Sequence, residues 1–433
     1  MNRNHWTLGI AAVLTVIVGI VPACGGGGGD TSPSVAPVHV TLSGPNAVTQ
    51  WNQVASNTIN VPAAASGSAA ERRPTDSVDL AVVHIAIYNA LAAITGRYQP
   101  YGDLTQAVSG EVSQQAAVGA AAYGVLKGMF PNRSAEYQAA YDSFLAAMPD
   151  DAAKAGGVAA GAAAAAAMLA LRGDDGRSVV LAPYVAGSMP GAFRGTNPVN
   201  RYGPYIKPFA LTGASQFRVP PPPPLDSEAY ARDFNETRLL GGAIGSTRTA
   251  AQLELARFYT EAPPAYWQRN LRRFAMTDGS LVDQARLLAM LFMVQADAGI
   301  ACFDSKYHYE FWRPQSAIAL ADTNRNPATA PDAAWSPVVP TPNHPEYPAA
   351  HGCITGAIAE TLKTYYRTDQ VEFTLDSTVT GTTHGFTTTQ AMVDEVGNAR
   401  VYGGMHFRNS TLRGAELGTS VARWALERNF QPR

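Results

Sequence analysis

Apolar residues recur along this chain mostly at helical spacing, and segments that alternate with the two-residue period of a strand are few. Several of the helical segments are rich in alanine, the best helix former, and residues 281–303 are apolar on most faces, which indicates a buried helix. The pattern predicts helices at 75–94, 109–130, 134–148, 151–171, 226–241, 250–260, 281–303, 349–366, 388–402 and 411–428. Residues 387–390 (TTTQ) predict a capping box at the start of one of them. We therefore predict an all-α fold, either one helical bundle or two packed four-helix sub-bundles.

Irregular segments separate these helices. Residues 172–225 are rich in Gly and Pro and end in five consecutive prolines, and 321–347 are rich in Pro, Asn, Asp and Thr. Such compositions favour turns and extended chain over helices. The folded domain is predicted to span residues 45–433.

The N-terminus has the pattern of an export signal. A charged start, with Arg3 and His5, precedes an apolar run that ends in VPAC at residues 21–24. This pattern resembles a bacterial lipoprotein signal, which implies removal of residues 1–23 and lipidation of Cys24; the alternative is an uncleaved membrane anchor. The following tract, GGGGGDTSPS, predicts a flexible tether over residues 24–44. We expect an exported protein that is lipid-anchored at Cys24 in the bacterial cell envelope.

Composition excludes several classes of function. The formal net charge is −2, whereas a nucleic-acid-binding protein usually has an excess of basic residues. Only Cys302 and Cys353 follow Cys24, which is too few for a disulfide framework or a cysteine zinc site. The chain also lacks the C-x-x-C-H motif of covalent haem attachment.

Two cations stand in an apolar stretch of a chain that is only 15% charged. In KYHYEFWRP (306–314), Lys306 and Arg313 are seven residues apart, which is nearly two helical turns and predicts that both project from one helix face. Pro314 is then expected to end that helix. The alternative is a pair of long side chains on a solvated face.

Two further segments each contain a histidine. In HPEYPAAHG, Pro348 suits the first turn of a helix and His351 falls within that turn, where free backbone N–H groups favour anions. In NARVYGGMHFRNS, Arg400 precedes His406 by six residues, and Gly403 and Gly404 can break the helix so that both side chains reach one point. A histidine that merely packs or caps is the alternative in each case.

Together these segments supply three permanent cations and two histidines. Guanidinium groups bind the edges of a tetrahedral oxyanion such as phosphate or vanadate, and an ammonium adds a movable charge. One histidine can attack or ligate the central atom while the other transfers protons.

This three-part motif resembles that of the vanadium-dependent haloperoxidases and the type 2 phosphatidic acid phosphatases, and the wider sequence is similar to the bacterial haloperoxidase branch. The similarity covers most of residues 45–425, and the motif lies in the half formed by 226–433. It implies that Lys306, Arg313 and Arg400 bind the oxyanion, with Ala350 also at a cofactor-binding position. It further implies that His406 is the vanadium ligand, or the nucleophile of a phosphatase, and that His351 is the acid–base.

Three positions depart from the family pattern. Ala349 stands where the family has a serine that hydrogen-bonds the oxyanion, and Ala399 where it has a serine before the arginine. Ser410 replaces an acidic residue four positions after the ligand histidine. A ligating histidine needs a partner on its other nitrogen, so a backbone carbonyl, Ser410 or another residue must supply it.

The resemblance implies a vanadate-dependent enzyme, without haem, that oxidises a halide with hydrogen peroxide to a hypohalous species and so halogenates a small organic acceptor. A phosphatase that uses the same site for phosphate through a phosphohistidine is the first alternative. A non-catalytic surface lipoprotein is the second. A homodimer is compatible with either activity. Because Lys306 and His351 must converge on one anion, Cys302 and Cys353 should also approach each other, and we predict either a disulfide between them or two buried free thiols.

Overall fold

The computed structural model describes residues 36–59, 76–103 and 107–433. In this part of the chain, thirteen α-helices and one small three-stranded sheet are present. The helices are α1 (Ala47–Ile59), α2 (Asp76–Thr95), α3 (Gln114–Met129), α4 (Ser134–Ala146), α5 (Ala152–Arg172), α6 (Glu228–Gly241), α7 (Ala250–Phe258), α8 (Pro263–Phe274), α9 (Leu281–Tyr309), α10 (Pro314–Ala319), α11 (Ala350–Tyr366), α12 (Thr389–Tyr402) and α13 (Arg408–Arg428). The predicted all-α fold is confirmed.

Helix α9 is the centre of the fold. It is apolar around most of its circumference and almost entirely buried, as its sequence predicts. It packs against α2, which contacts α3 and α5, and also against α11 and α13, which contact each other. The helices thus form two groups that share α9.

Helices α11 and α13 cross at very short range because glycines face each other there. A Cβ at Gly418 would lie 1.9 Å from the Cys353 carbonyl oxygen, and one at Gly356 would lie 2.4 Å from that of Ala415. Only glycine permits this approach of two backbones. It brings the beginnings of both helices together, and His351 and His406 lie at those beginnings.

The small sheet was missed by the sequence prediction. Strand β2 (Val371–Asp376) pairs antiparallel with β3 (Thr383–Phe386) and parallel with β1 (Val38–His39). Residues 38–39 fall inside the predicted flexible tether, so that prediction is wrong at its C-terminal end, because backbone hydrogen bonds to β2 hold this segment.

Helices α1, α8 and α10 were also missed, and the end of α9 was misplaced. Helix α1 carries no long apolar run, and α8 begins with two prolines that look like a loop but suit the first helical turn. Helix α9 continues to Tyr309 rather than 303. The predicted capping box is wrong: Thr388 alone caps α12, through the Ala391 N–H. The irregular character of 172–225 is confirmed, apart from one short 3-10 turn.

Three helices in the described part of the chain are long and apolar enough to cross a membrane, judged by length and composition alone. Two of them, α2 and α9, are largely buried by other protein, whereas only 28% of the apolar stretch of α5 is buried. The predicted signal segment and Cys24 lie outside the described residues.

Candidate functional site

Lys306 and Arg313 lie on two successive helices, so the prediction that they share one helix face is wrong. Helix α9 ends at Tyr309 because Glu310 takes a left-handed conformation, with φ of 46°. Arg313 is the N-cap of α10, and Pro314 opens that helix instead of ending the previous one. Both cations are nonetheless buried, with 0% and 3% of their surface exposed. This contradicts the alternative of a solvated pair.

The ammonium of Lys306 holds the loop that precedes α11. Its Nζ donates to the carbonyl oxygens of Pro345 at 2.9 Å and Glu346 at 3.0 Å. An ammonium has three donors, so one N–H remains for another acceptor.

The guanidinium of Arg313 organises two histidines. Its Nε donates to the His344 carbonyl at 2.8 Å, and its Nη2 lies 3.0 Å from His344 Nδ1. Its Nη1 donates to the Met405 carbonyl at 2.9 Å and lies 3.1 Å from His406 Nε2. Arg313 therefore links the loop before α11 to the loop before α13.

His406 is held by a buried carboxylate that the sequence analysis did not identify. Its Nδ1 lies 2.9 Å from Glu346 Oε1, which also accepts the Phe407 N–H at 2.9 Å. Because Oε1 is an acceptor in both contacts, His406 carries its proton on Nδ1, and its Nε2 lone pair faces Arg313. Burial, together with Arg313 and other cations, keeps the pKa of His406 well below its usual value. His406 is thus a neutral imidazole whose unprotonated Nε2 is in contact with Arg313.

His351 is the second residue of α11, in the first turn as predicted, although Pro348 lies one residue before the N-cap Ala349 rather than in that turn. The ring of His351 is half-buried and borders a cavity. The pKa of His351 is well below its usual value because of burial and of nearby cations, of which Arg400 has the largest effect. A hydrogen bond to the backbone of Tyr259 raises this pKa but does not offset the lowering.

Arg400 lies in the last turn of α12, which ends at Tyr402. Gly403 follows as the C-cap and Gly404 has φ of 78°, so the two glycines break the helix as predicted. Arg400 Nη1 donates to the Tyr259 carbonyl at 3.2 Å, while its buried Nε has no hydrogen-bond partner in the described part of the chain.

The cluster formed by Lys306, Arg313, Arg400 and the histidines has an excess of buried positive charge. Burial, reinforced by mutual repulsion, lowers the pKa of Lys306 to about 8 and of Arg400 to about 9, and burial lowers that of Arg313 to about 10. Among the described residues, the acidic side chain that hydrogen-bonds to this group is Glu346, whose pKa burial raises to about 7. Three cations against one partly ionised carboxyl are complementary to an added anion.

A cavity of about 720 Å³ opens beside these residues. One end carries the polar side chains of His344, His351, Arg400 and His406, and Ala350 also borders it. The remaining wall is mostly apolar and comes from α2, α8, α9, α11 and the loops around residues 200, 260 and 340. Its polar members include Ser77, Asn200, Thr260, Glu261 and Gln295. Such a shape, with a few polar groups at one end of an apolar cavity, is typical of small-molecule sites.

Comparison with known proteins agrees with this geometry. Residues 286–432 match the family of the VCPO (vanadium chloroperoxidase) second helical-bundle domain. The vanadium chloroperoxidase of Curvularia inaequalis is 24% identical over 195 residues, a match that spans 38% of this chain and 32% of that relative. The C-terminal third of the chain is thus similar to the second helical-bundle domain of the vanadium chloroperoxidases.

Solved structures of bacterial vanadium-dependent haloperoxidases share the fold over most of the chain. A bacterial vanadium-dependent iodoperoxidase superposes with a TM-score of 0.70 at 20% identity, covering 89% of this chain and 95% of the other. The holo form of a bacterial vanadium-dependent chloroperoxidase gives 0.69 at 16% identity, covering 89% and 98%. Separately, residues 52–199 match the catalytic domain of the family described as ER-bound oxygenase mpaB/B'/rubber oxygenase. That match covers the N-terminal helices and none of the cations and histidines described above.

Relative to the haloperoxidase motif, the acid that supports His406 has moved to another segment. Ser410 does not contact the His406 ring; its hydroxyl donates to the Glu346 carbonyl at 3.3 Å. Glu346 itself takes the place of the missing acid. The available sequence signal was a single carboxyl, Glu346, in the otherwise uncharged, proline-rich segment HPEYP, and His344 in the same segment was missed with it.

The two alanines of the motif differ in their surroundings. Ala350 borders the cavity, whereas Ala349 is completely buried and its N–H donates to the Ser410 carbonyl. As N-cap of α11, Ala349 has no side chain that could accept a helix N–H. Ala399 is also completely buried.

Cys302 and Cys353 approach each other as predicted, but both are free thiols in the structure. They are buried and share a hydrogen bond. The predicted disulfide is therefore not formed here, and the alternative of two buried thiols describes the pair.

Proposed function

We propose that this protein is a vanadate-dependent haloperoxidase that uses hydrogen peroxide to oxidise a halide to a hypohalous acid. The observation that carries the proposal is the neutral His406, with Nε2 facing Arg313 and Nδ1 tied to Glu346, inside a group of three buried cations. The similarity to vanadium chloroperoxidase and the haloperoxidase fold support the peroxidase reaction over other uses of an oxyanion site.

The residues present fit vanadate. Lys306, Arg313 and Arg400 would hold its oxygens, and each is a buried cation. Arg400 Nε is a buried donor without a partner in the described part of the chain, and Lys306 has one N–H to give. His406 Nε2 would bind the metal, in exchange for its present contact with Arg313 Nη1.

Bound vanadate would act as a Lewis acid that activates hydrogen peroxide. The protein side chains would bind the oxyanion, orient His406 and transfer protons. The cations hold and neutralise the oxyanion, and Glu346 keeps the Nδ1 proton of His406 in place. His351, neutral and accessible from the cavity, would take a proton from hydrogen peroxide and return it to the oxygen that leaves as water. The overall reaction consumes halide, hydrogen peroxide and one proton and gives hypohalous acid and water.

Paired assays on the purified protein test this proposal. We expect bromide oxidation by peroxide only after vanadate is added, with inorganic phosphate as a competitor for the site. Hydrolysis of p-nitrophenyl phosphate is assayed in parallel without vanadate. Ester hydrolysis without any bromide oxidation would assign the site to a phosphatase, and oxidation that survives both chelation of vanadium and excess phosphate would contradict the site.

We further propose that the chain is exported and anchored in the cell envelope through Cys24. The support is the sequence pattern of residues 1–24. Metabolic labelling with palmitate should mark the wild type and leave Cys24→Ser unlabelled. Equal labelling of the two would contradict the anchor.

A further inference from the structure

The cavity beside the proposed oxyanion site is larger and less polar than the ions of the reaction require. It measures about 720 Å³, whereas a water molecule occupies about 30 Å³ and a halide or peroxide only slightly more. Its wall away from the histidines includes Val78, Ile206, Trp267, Ile300, Phe303 and Ile354. Apolar surface of this kind makes no favourable interaction with a hydrated anion, whereas it stabilises a bound organic molecule.

Gly299 enlarges this cavity at the cost of helix stability. It lies in the interior of α9 and borders the cavity, and a Cβ placed there would meet only Ile354 Cδ1, at 4.0 Å. Glycine in a helix interior is destabilising relative to alanine. No close approach of another backbone requires glycine here, unlike at Gly418. The open space therefore belongs to the cavity.

We propose that this cavity binds an uncharged, electron-rich aromatic compound, which receives the halogen there before hypohalous acid reaches the solvent. This inference rests on the proposed function. Trp267, Tyr202, Phe303 and the rings of Pro263 and Pro264 offer flat surfaces for an aromatic ring. The cations at the polar end repel a cationic acceptor, and an anionic one would compete for the oxyanion site.

The transfer balances without a further reactant. A ring carbon of the acceptor attacks the halogen of hypohalous acid, so the carbon–halogen bond forms as the halogen–oxygen bond breaks. The same carbon then loses its proton, which joins the released hydroxide as water. The cavity contributes by holding the acceptor next to His351 and Arg400, where the hypohalous acid arises.

Binding is tested first, with 2-naphthol as the probe and without vanadate, peroxide or halide. We expect saturable fluorescence changes in the wild type and at least about tenfold weaker binding in Gly299→Leu, whose side chain fills the cavity. Gly299→Ala should give a smaller loss in the same direction, and it keeps the test decisive if the leucine variant does not fold. Gly213→Leu is the control, because a Cβ at that surface glycine meets nothing within 4 Å, and it should bind as the wild type does. Absence of saturable binding, or equal binding by all variants, would overturn the proposal.

Halogen transfer is tested second, by competition between 2-naphthol and phenol-4-sulfonate during bromide oxidation. We expect a higher ratio of brominated naphthol to brominated sulfonate with the enzyme than with reagent hypobromous acid. Gly299→Leu should return this ratio to the reagent value, whereas the control Gly213→Leu should keep the wild-type ratio. Equal ratios for enzyme and reagent would refute transfer in the cavity. If the wild type oxidises no halide, the proposed function fails, and the naphthol titration alone still decides whether the cavity binds aromatics.

Discussion

Replacing Glu346 by glutamine separates its charge from its shape. The amide oxygen can still accept from His406 Nδ1 and from the Phe407 N–H, both of which lie 2.9 Å from Oε1. The substitution removes the negative charge that makes His406 a better ligand. A hydrogen bond to a charged group contributes about 1.5–3 kcal/mol and one between neutral groups about 0.5–1.5 kcal/mol. The difference of about 1–1.5 kcal/mol corresponds to about a five- to tenfold loss of vanadate affinity.

Phosphate should respond differently to the same substitution. It binds the cations without a bond to His406, and loss of a nearby negative charge favours any anion. We therefore expect Glu346→Gln to bind vanadate about five- to tenfold more weakly but phosphate no more weakly than the wild type. Isothermal calorimetry with each anion measures both constants. Glu236→Gln is the matched control, because the Glu236 carboxyl pairs with Arg408 and not with His406. An equal change for the two anions would refute the assigned role of Glu346.

The stability of this variant provides an independent check. Burial raises the pKa of Glu346 from 4.5 to about 7, which corresponds to about 3 kcal/mol in favour of the protonated form in the folded state. A raised pKa contributes stability below the unfolded value, and this contribution is lost as pH rises through about 7. Glutamine resembles the protonated carboxyl at every pH. Glu346→Gln should therefore match the wild type in urea unfolding at pH 4.5 and be more stable at pH 8; lower stability at pH 8 would contradict the buried carboxylate.

Other predictions concern the histidines, the missing hydroxyl and the cations. His406→Ala should abolish vanadium retention, whereas His351→Ala should retain vanadium and lose turnover by about 100-fold or more; equal retention, measured by elemental analysis, would show that the two roles are wrongly assigned. Ala349→Ser should raise the free energy of unfolding by about 1 kcal/mol by capping α11 and tighten vanadate by about 1 kcal/mol, and unchanged values in calorimetry would place residue 349 away from both partners. Phosphate affinity should fall as pH rises through about 8, because Lys306, whose pKa burial lowers to about 8, then loses its charge; affinity that stays level up to pH 9 would contradict a charged Lys306 at the anion.

Local pattern was sufficient for most helices and for the main members of the site. The apolar circumference of residues 281–303 predicted the buried helix α9, and Gly403 and Gly404 predicted the break between Arg400 and His406. The prediction failed where a neighbour in space decides the conformation. Strand β1 exists because residues 38–39 meet β2, more than 300 residues away in sequence, and the turn at Glu310 separates Lys306 from Arg313.

The sequence by itself determined the chemistry that the chain contains: three cations and two histidines in a charge-poor helical half, in an order similar to that of a known superfamily. The tertiary structure decided which groups meet. In the folded protein His406 Nδ1 contacts Glu346 and not Ser410. Lys306 and Arg313 hold the loop that contains Glu346 in the position that allows this contact. The tertiary structure also leaves open space beside Gly299. Hydrogen bonds act over about 3 Å, so their partners depend on how loops and helices pack in space, which spacing along the chain does not encode.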